Sequence, residues 1–291
     1  MILSGRGNLA VELSAPAKVN LHLEIGEKRA DGYHALRSLC VKVNLFDRLF
    51  VELMNEGYEL NSPDDLFFSQ DVDLLYKAVN FYKKLSGKEF GIKIKLIKNI
   101  PMQAGLGGGS SDAGVLLRFL NQHFDEAVPW YVLIRESAAV GADVPLFVHP
   151  CTAAWMEGIG EKIVPLAPRP LDILLCFPHM GINTKEAYAA LDVYGQGHLY
   201  GFEEDDTKQM WAKHPKEWKF FNSFSQKLTK EYPFIEKGKE FLRQFPVDYV
   251  ELSGSGSTIA AVADKHCLQN LSVCPLGDEF STCSMVSTLL E

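Results

Sequence analysis

Between a strand and a helix, residues 91–121 read GIKIKLIKNIPMQAGLGGGSSDAGVLLRFLN. Ile92, Ile94 and Leu96 alternate with Lys93 and Lys95, the period of a strand with one buried face, and Pro101 closes it. Gly105, Gly107, Gly108 and Gly109 follow. Beyond them Ala113, Leu116, Leu117, Leu120 and Phe124 recur at three and four residues, the stripe of one helix face. A chain concentrates glycine at such a junction where its backbone must take positive φ or approach another group closely. The arrangement presents main-chain N–H groups and a helix N-terminus to an anion, so the stretch points to an α/β protein with a polyphosphate site. A tight turn with Ser110 or Ser111 as helix N-cap is the plainer alternative.

The loop fits neither common nucleotide fingerprint. A Walker A loop ends in Gly-Lys-Ser/Thr, whereas Gly109 is followed by Ser110. A dinucleotide GxGxxG beginning at Gly105 needs glycine at 110 and again meets serine.

The 291 residues are 47% hydrophobic and 23% charged, enough for one large bilobal unit or two domains. A formal net charge of -8 argues against general nucleic-acid binding, which needs a basic face. The six cysteines are scattered and form no CxxC pair, so reduced thiols in a cytoplasmic protein are expected. The N-terminal MILSGRGNLAVELS lacks the continuous apolar core of a signal peptide, and no apolar run approaches membrane-spanning length.

In AKVNLHLEI, Val19, Leu21, Leu23 and Ile25 alternate with Asn20, His22 and Glu24, so Lys18, Asn20 and His22 share one face of a half-buried strand. RADGYH is a turn, and VKVNLF and RLFVEL read as two further strands. DVDLLYKAVNFYKKL is a helix ending before Gly87, and another starts at Pro129 and ends near Gly141. APRPLD marks a boundary, giving domains 1–166 and 167–291. DILLCF is a buried strand, TKEAYAALD a helix, and YVELSGSGSTIAAV two strands around a small-residue loop. The acidic Glu203 to Asp206 reads as a solvated loop.

SAPAKVNLHLEIGEKRADGYHALRS, IPMQAGLGGGSSDAG, GADVPLFV and LSGSGSTIAAV, in this order and spacing, resemble the GHMP kinase superfamily. PAKVN, ADGYH and GADVP narrow the resemblance to its branch acting on a cytidine-diphosphate-linked methylerythritol in non-mevalonate isoprenoid synthesis. The resemblance implies an α/β (α+β) GHMP kinase fold, with a ribosomal-protein-S5-like N-terminal domain and a ferredoxin-like C-terminal domain. It also implies ATP as phosphoryl donor. Mg2+ is expected on general grounds to neutralise the phosphates, with the Ser110 or Ser111 hydroxyl as candidate ligand, and the chain is expected to act as a monomer or homodimer.

Carried over by motif, Lys18 and Asp143 are the catalytic pair: Asp143 accepts or orients the substrate hydroxyl proton, and Lys18 keeps Asp143 ionised and offsets phosphoryl charge. Gly105, Leu106, Gly107, Gly108, Gly109, Ser110 and Ser111 wrap the phosphates by main-chain donors, which accounts for the missing lysine. Asp112 complements the helix dipole in the first turn. Lys98 and Pro101 fall near the adenosine, and Asp73 stands where the family commonly has asparagine beside adenine. Tyr33 and Tyr188 sandwich the cytosine, His34 reads its polar edge, and Thr184 lies nearby. Asn20 bonds substrate or Asp143, while Gly254, Ser255 and Gly256 lie against the phosphates or the erythritol end.

Each residue also has a plainer reading: a solvated strand lysine for Lys18, a turn cap for Asp143, a packed turn tyrosine for Tyr33, a buried helix residue for Tyr188, and a hairpin loop for residues 254–256. Gln103 and Ala104 replace the two small residues usual before GLGGG, and FFNSFSQKL keeps Asn222 without the acidic residues expected after it. A homoserine- or mevalonate-type kinase, or a GHMP-fold protein that binds nucleotide without catalysis, are the alternatives.

Overall fold

The computed structural model describes residues 10–62, 73–193, 199, 201–273 and 280–291. Among these residues the order is β1 (Val11–Lys28), β2 (His34–Met54), β3 (Tyr58–Asn61), α1 (Leu74–Ser86), β4 (Gly91–Ile97), α2 (Gly108–His123), α3 (Trp130–Glu136) and α4 (Val144–Val148). Then come β5 (Ala153–Gly158), β6 (Lys162–Pro165), β7 (Asp172–Pro178), α5 (Thr184–Val193), α6 (Glu204–Ala212), α7 (Ser223–Leu228) and α8 (Phe234–Arg243). The chain closes with β8 (Tyr249–Leu252), β9 (Ile259–Ala263), α9 (Lys265–Ser272) and β10 (Phe280–Ser287).

The chain divides into two compact units that interleave in sequence. The first comprises 1–16, 45–100 and 108–149; the second comprises 17–44, 101–107 and 150–291. The boundary read at 166/167 therefore falls inside the second unit.

In the first unit β4 pairs in parallel with β3 and antiparallel with Arg48–Met54 of β2. The inward residues Ile92, Ile94 and Leu96 meet Ala113, Leu116, Leu117 and Leu120 of α2 and Leu75, Ala78 and Val79 of α1 in one apolar core, as their periods require. Asp73 caps α1, accepting the Leu75 N–H at 2.9 Å, and Gly87 ends it in the left-handed region at φ 68°.

In the second unit residues 36–41 of β2 pair with β5, which pairs with β6. A separate antiparallel sheet has the order β10-β7-β9-β8. Counted within that sheet the order is 4-1-3-2, and the β7–α5 and β9–α9–β10 connections give it a ferredoxin-like character. Leu174, Cys176, Leu252, Ile259 and Ala261 from its strands form a core with Leu191, Phe224, Leu228, Ile235, Leu242, Leu268 and Leu271.

Four expectations change. VKVNLF and RLFVEL belong to one strand, β2. Residues 15–26 of β1 are buried on both faces, not one, because Lys18, Asn20, His22 and Glu24 find polar partners inside. The acidic stretch opens α6 rather than a loop: Glu203 and Asp206 form a reciprocal capping box, and the acids sit at the end where the dipole favours them. The helix from Pro129 stops at Glu136, followed by a 3-10 turn at Ser137–Ala139.

Candidate active site

The glycine segment belongs partly to each unit, with Pro101–Gly107 in the second and Gly108 onward in the first. Gly105 and Gly107 take φ of 74° and 70°, a region costly for any residue with a Cβ. A Cβ on Gly105 would lie 2.0 Å from the Ser253 carbonyl oxygen, so this stretch and the SGSGS loop approach each other backbone to backbone. The Ser253 hydroxyl fixes the contact by donating to the Gly105 carbonyl at 3.1 Å. Pro101 is exposed, and Leu106 is buried with its carbonyl accepting the Lys18 N–H at 3.0 Å.

Lys18 leaves β1 at this point. It is 3% exposed, its ammonium donates to Asn20 Oδ1, and a Cβ on Gly254 would stand 3.1 Å from Nζ. Asn20 donates from Nδ2 to Ser38 Oγ at 2.8 Å and to Cys40 Sγ at 3.1 Å, and its N–H donates to Ser253 Oγ at 3.2 Å. A buried ammonium needs such partners, so the solvated-lysine reading of Lys18 fails. Asn222 supports the loop on which Gly254 sits: Nδ2 donates to the carbonyls of Leu252 and Gly254 at 2.8 Å each, and Oδ1 caps α7. Ser255 Oγ lies 3.0 Å from Thr184 Oγ1, tying the loop to α5, and Gly256 follows with φ 89°.

In the first unit α2 begins at Gly108, so Ser110 and Ser111 lie within its first turn and are not its N-cap. Ser110 is partly exposed beside Gly109, whereas the Ser111 hydroxyl is buried with no hydrogen-bond partner. Asp112 falls beyond the first turn and is 1% exposed. Its Oδ2 accepts from Lys98 Nζ at 2.9 Å, and Lys98 also donates to Asp47. The dipole role read for Asp112 gives way to a buried ion pair whose partners are remote in sequence. Burial pushes the Asp112 carboxyl up to about 7; the Lys98 charge pulls it down and the Asp47 charge pushes it further up. Burial acts to lower the Lys98 ammonium, yet Asp112 and Asp47 outweigh it and hold it raised.

Asp143 stands at the start of α4, half-buried, and its side chain makes no capping bond to that helix. Both oxygens of Asp73 are engaged, Oδ1 as the α1 cap and Oδ2 as acceptor of the Tyr58 hydroxyl at 2.6 Å.

Another cluster of the second unit gathers on β1, β2 and α5. Tyr33 is 56% exposed beside the turn at Gly32, which has φ 86°. The Asp31 carboxylate is held low chiefly because it accepts the Tyr33 N–H. His34 is buried: Nδ1–H donates to the Gly26 carbonyl at 3.0 Å, and the ring lies 5.4 Å from that of Tyr188. Its Nε2, itself buried, faces Asp192 Oδ1 at 3.2 Å. The Lys28 hydrogen bond at 2.7 Å, together with the Lys28 and His34 charges, holds the Asp192 carboxyl below its ordinary range. Tyr188 rests edge-on against Phe224 at 5.0 Å. The site thus has one exposed aromatic, one supported aromatic and a histidine between acceptors, although sequence reading overlooked Lys28 and Asp192. It also overlooked Ser38, Asp47 and Ser253, whose partners Asn20, Lys98 and Asn20 lie 18, 51 and 233 residues away; Asn222 was noticed without its role.

Residues 73–150, which contain β4, the glycine loop and α2, match the model of the GHMP kinases N terminal domain, so this part of the chain is of the GHMP kinase class. A homoserine kinase from Cytophaga hutchinsonii superposes with a TM-score of 0.69 at 16% identity over 99% of this chain and 97% of that one, showing the same α/β fold. Within the class the similarity is specific. A 4-diphosphocytidyl-2-C-methyl-D-erythritol kinase of Geobacillus sp. (strain WCH70) is 35% identical over 85% of this chain and 86% of its own, and one of Petrotoga mobilis is 34% identical over 87% and 98%. A crystal structure of 4-(cytidine 5'-diphospho)-2C-methyl-D-erythritol kinase superposes with a TM-score of 0.76 at 30% identity, covering 96% of this chain and 99% of that one. The chain belongs to the 4-diphosphocytidyl-2-C-methyl-D-erythritol kinase family.

Proposed function

We propose that the protein transfers the γ-phosphoryl group of ATP to the 2-hydroxyl of 4-diphosphocytidyl-2-C-methyl-D-erythritol, giving the 2-phosphate and ADP, as a step of non-mevalonate isoprenoid precursor synthesis. The hydroxyl oxygen attacks γ-phosphorus, the bond to the β,γ-bridging oxygen breaks, and the hydroxyl proton passes to Asp143. Asp143 suits this role because its carboxylate is half-buried and does not serve as a helix cap. Lys18 supplies the cation that offsets charge on the transferred group.

The glycine segment holds the polyphosphate with main-chain N–H groups leading into α2, while Gly105 and Gly254 let its backbone pack against the SGSGS loop, where a Cβ would clash. Gly107, Gly108, Gly109, Ser110 and Ser111 continue that cradle into α2, with Leu106 and Pro101 at its flank. Asp73 is assigned to the adenosine end, where an adenine contact competes with its bond to Tyr58; Lys98, expected there too, has its ammonium bonded to Asp47 and Asp112. Mg2+ would supply charge neutralisation at the β- and γ-phosphates, and the Ser110 or Ser111 hydroxyl in the first turn of α2 would be the protein group to hold it. At the other end Tyr33 and Tyr188 sandwich the cytosine, His34 Nε2 meets its polar edge, and Thr184, Asn20, Ser255 and Gly256 line the path to the erythritol. The protein works in the cytoplasm as a monomer or homodimer, without nucleic acid or membrane. No described helix is long and apolar enough to cross a membrane.

The observation that carries the reading is the buried Lys18 ammonium, seated against Gly254 and bonded to Asn20 on the strand that also anchors Leu106 of the glycine segment. ADP release from MgATP tests it, with the cytidine compound as acceptor and homoserine and mevalonate as controls. Release with the cytidine compound alone is expected; release with a control alone replaces the substrate. Asp143→Ala should retain ADP binding and lose about three or more orders of magnitude in kcat, as for a group acting in the transition state. Near-wild-type turnover in that variant would overturn its role.

A further inference from the structure

Asp47 has both carboxylate oxygens engaged. Its side chain is fully buried; Oδ1 accepts the N–H groups of Asn99 at 2.6 Å and Ile100 at 2.8 Å, and Oδ2 accepts the Lys98 ammonium. Lys98 then reaches Asp112 Oδ2 at 2.9 Å on α2. One ammonium thus joins residues 98–100, which precede the glycine segment, to residue 112, which follows it. The ammonium also packs against the start of α2, since a Cβ on Gly108 would meet Lys98 Nζ at 3.2 Å and Ile100 Cγ2 at 3.1 Å.

Two carboxylates share this single cation, so the cluster has no positive charge to spare for an anion outside it. Lys98 is 10% exposed at its side chain, and a contact with nucleotide would require it to leave buried carboxylates uncompensated. The buried Asp112 Oδ1, which has no hydrogen-bond partner, would then lose the compensation of its neighbouring oxygen as well.

We propose that Asp47, Lys98 and Asp112 are positioning residues that brace the two ends of the glycine segment, so that the first N–H groups of α2 face the phosphates of a nucleoside triphosphate. Lys98 serves the nucleotide by holding backbone and not by touching it. The proposal rests on the reading that the glycine segment binds nucleotide.

Asp47→Asn separates the two roles by sign. The amide keeps the shape and can still accept the Asn99 and Ile100 N–H groups through its oxygen, but places a donor NH2 against the ammonium. A brace loosened in this way weakens ADP binding and raises KM for ATP by about tenfold, while KM for the acceptor changes by less than about twofold, because one displaced donor row is a loss of preorganisation at one end. If Lys98 instead touches the nucleotide, freeing its charge from Asp47 leaves affinity unchanged or tightens it.

The measurements are calorimetric titration with MgADP and initial rates against each substrate, for wild type, Asp47→Asn, Asp112→Asn and the double variant. Both single changes weakening binding, with the double variant no weaker than the worse single, supports a shared strut. Independent effects that multiply, or unchanged or tighter binding in Asp47→Asn, overturn it. Should a variant fail to fold, hydrogen exchange on the wild type decides: MgADP slowing the amides of 98–100 together with those of 108–112 supports the brace, and slowing only the latter overturns it. Wild type that binds no MgADP overturns the nucleotide reading itself and the proposal with it.

Discussion

Tyr33 is 56% exposed although it is a large aromatic, on a turn whose backbone is fixed by Asp31 and Gly32. Such a side chain adds little to folding, because it loses little water-accessible area, yet it offers a flat face that costs little entropy to order. Tyr33→Ala should therefore shift the unfolding midpoint hardly at all. Losing one stacking partner, about 1–3 kcal/mol by alanine substitution, should raise KM for the cytidine substrate roughly tenfold or more. KM for ATP and kcat at saturation should stay within about twofold, as for a residue that binds ground state and transition state alike. Thermal unfolding and steady-state rates check both halves. Tyr33 and His34 could be singled out in the sequence because they sit together in ADGYH, a local string. Asp192, which faces His34 at 3.2 Å, was not, because it lies on α5, 158 positions away, and nothing in TKEAYAALD distinguishes it from a solvated helix acid.

At the level of elements, two helices of the first unit meet through a glycine. A Cβ on Gly114 of α2 would stand 2.5 Å from Cβ of Phe147 on α4, and Asp143 is the residue from which α4 starts. Gly114→Ala must therefore push α4 away, since both contacting atoms belong to rigid parts of their helices. Overpacking of this kind costs about 1–3 kcal/mol. It should also lower kcat at unchanged ADP affinity, because the displaced element carries the proposed base. A kcat equal to wild type, with Phe147 still packed, would mean that Asp143 does not depend on the placement of α4. The period of α2 was legible from its apolar stripe, and so were β4, β7 and α5, each with a strong local pattern. What escaped were features decided by tertiary pairing. One is the run of β2 through Asn44 and Asp47, which look like a turn until Asp47 is seen bonded to Asn99 and Ile100. Another is the short α4, whose five residues are all buried and carry no helical period.

For the whole molecule, the net charge of -8 conceals groups that titrate in opposite senses. Asp31 and Asp192 have carboxyls held low, so each adds stability above the ordinary carboxylate range that is lost as pH falls through its folded pKa. Asp112 does the reverse. Its folded carboxyl titrates at about 7, whereas in the unfolded chain it loses its proton near the usual carboxylate value of about 4. Between those limits the folded chain holds a proton that the unfolded chain has released, so its contribution declines as pH rises from about 4 to about 7 and levels off above that. Asp112→Asn keeps an acceptor for Lys98 and removes the titration. Plotted against pH, the unfolding midpoint of wild type minus that of Asp112→Asn should fall steadily between about pH 5 and 7 and flatten above about 8, since only the wild type has this proton to lose. A difference that stays constant over that range would show that Asp112 is ionised throughout, its charge fully compensated by Lys98. One that rises with pH would mean that the Lys98 charge outweighs burial and holds the carboxyl below its ordinary range.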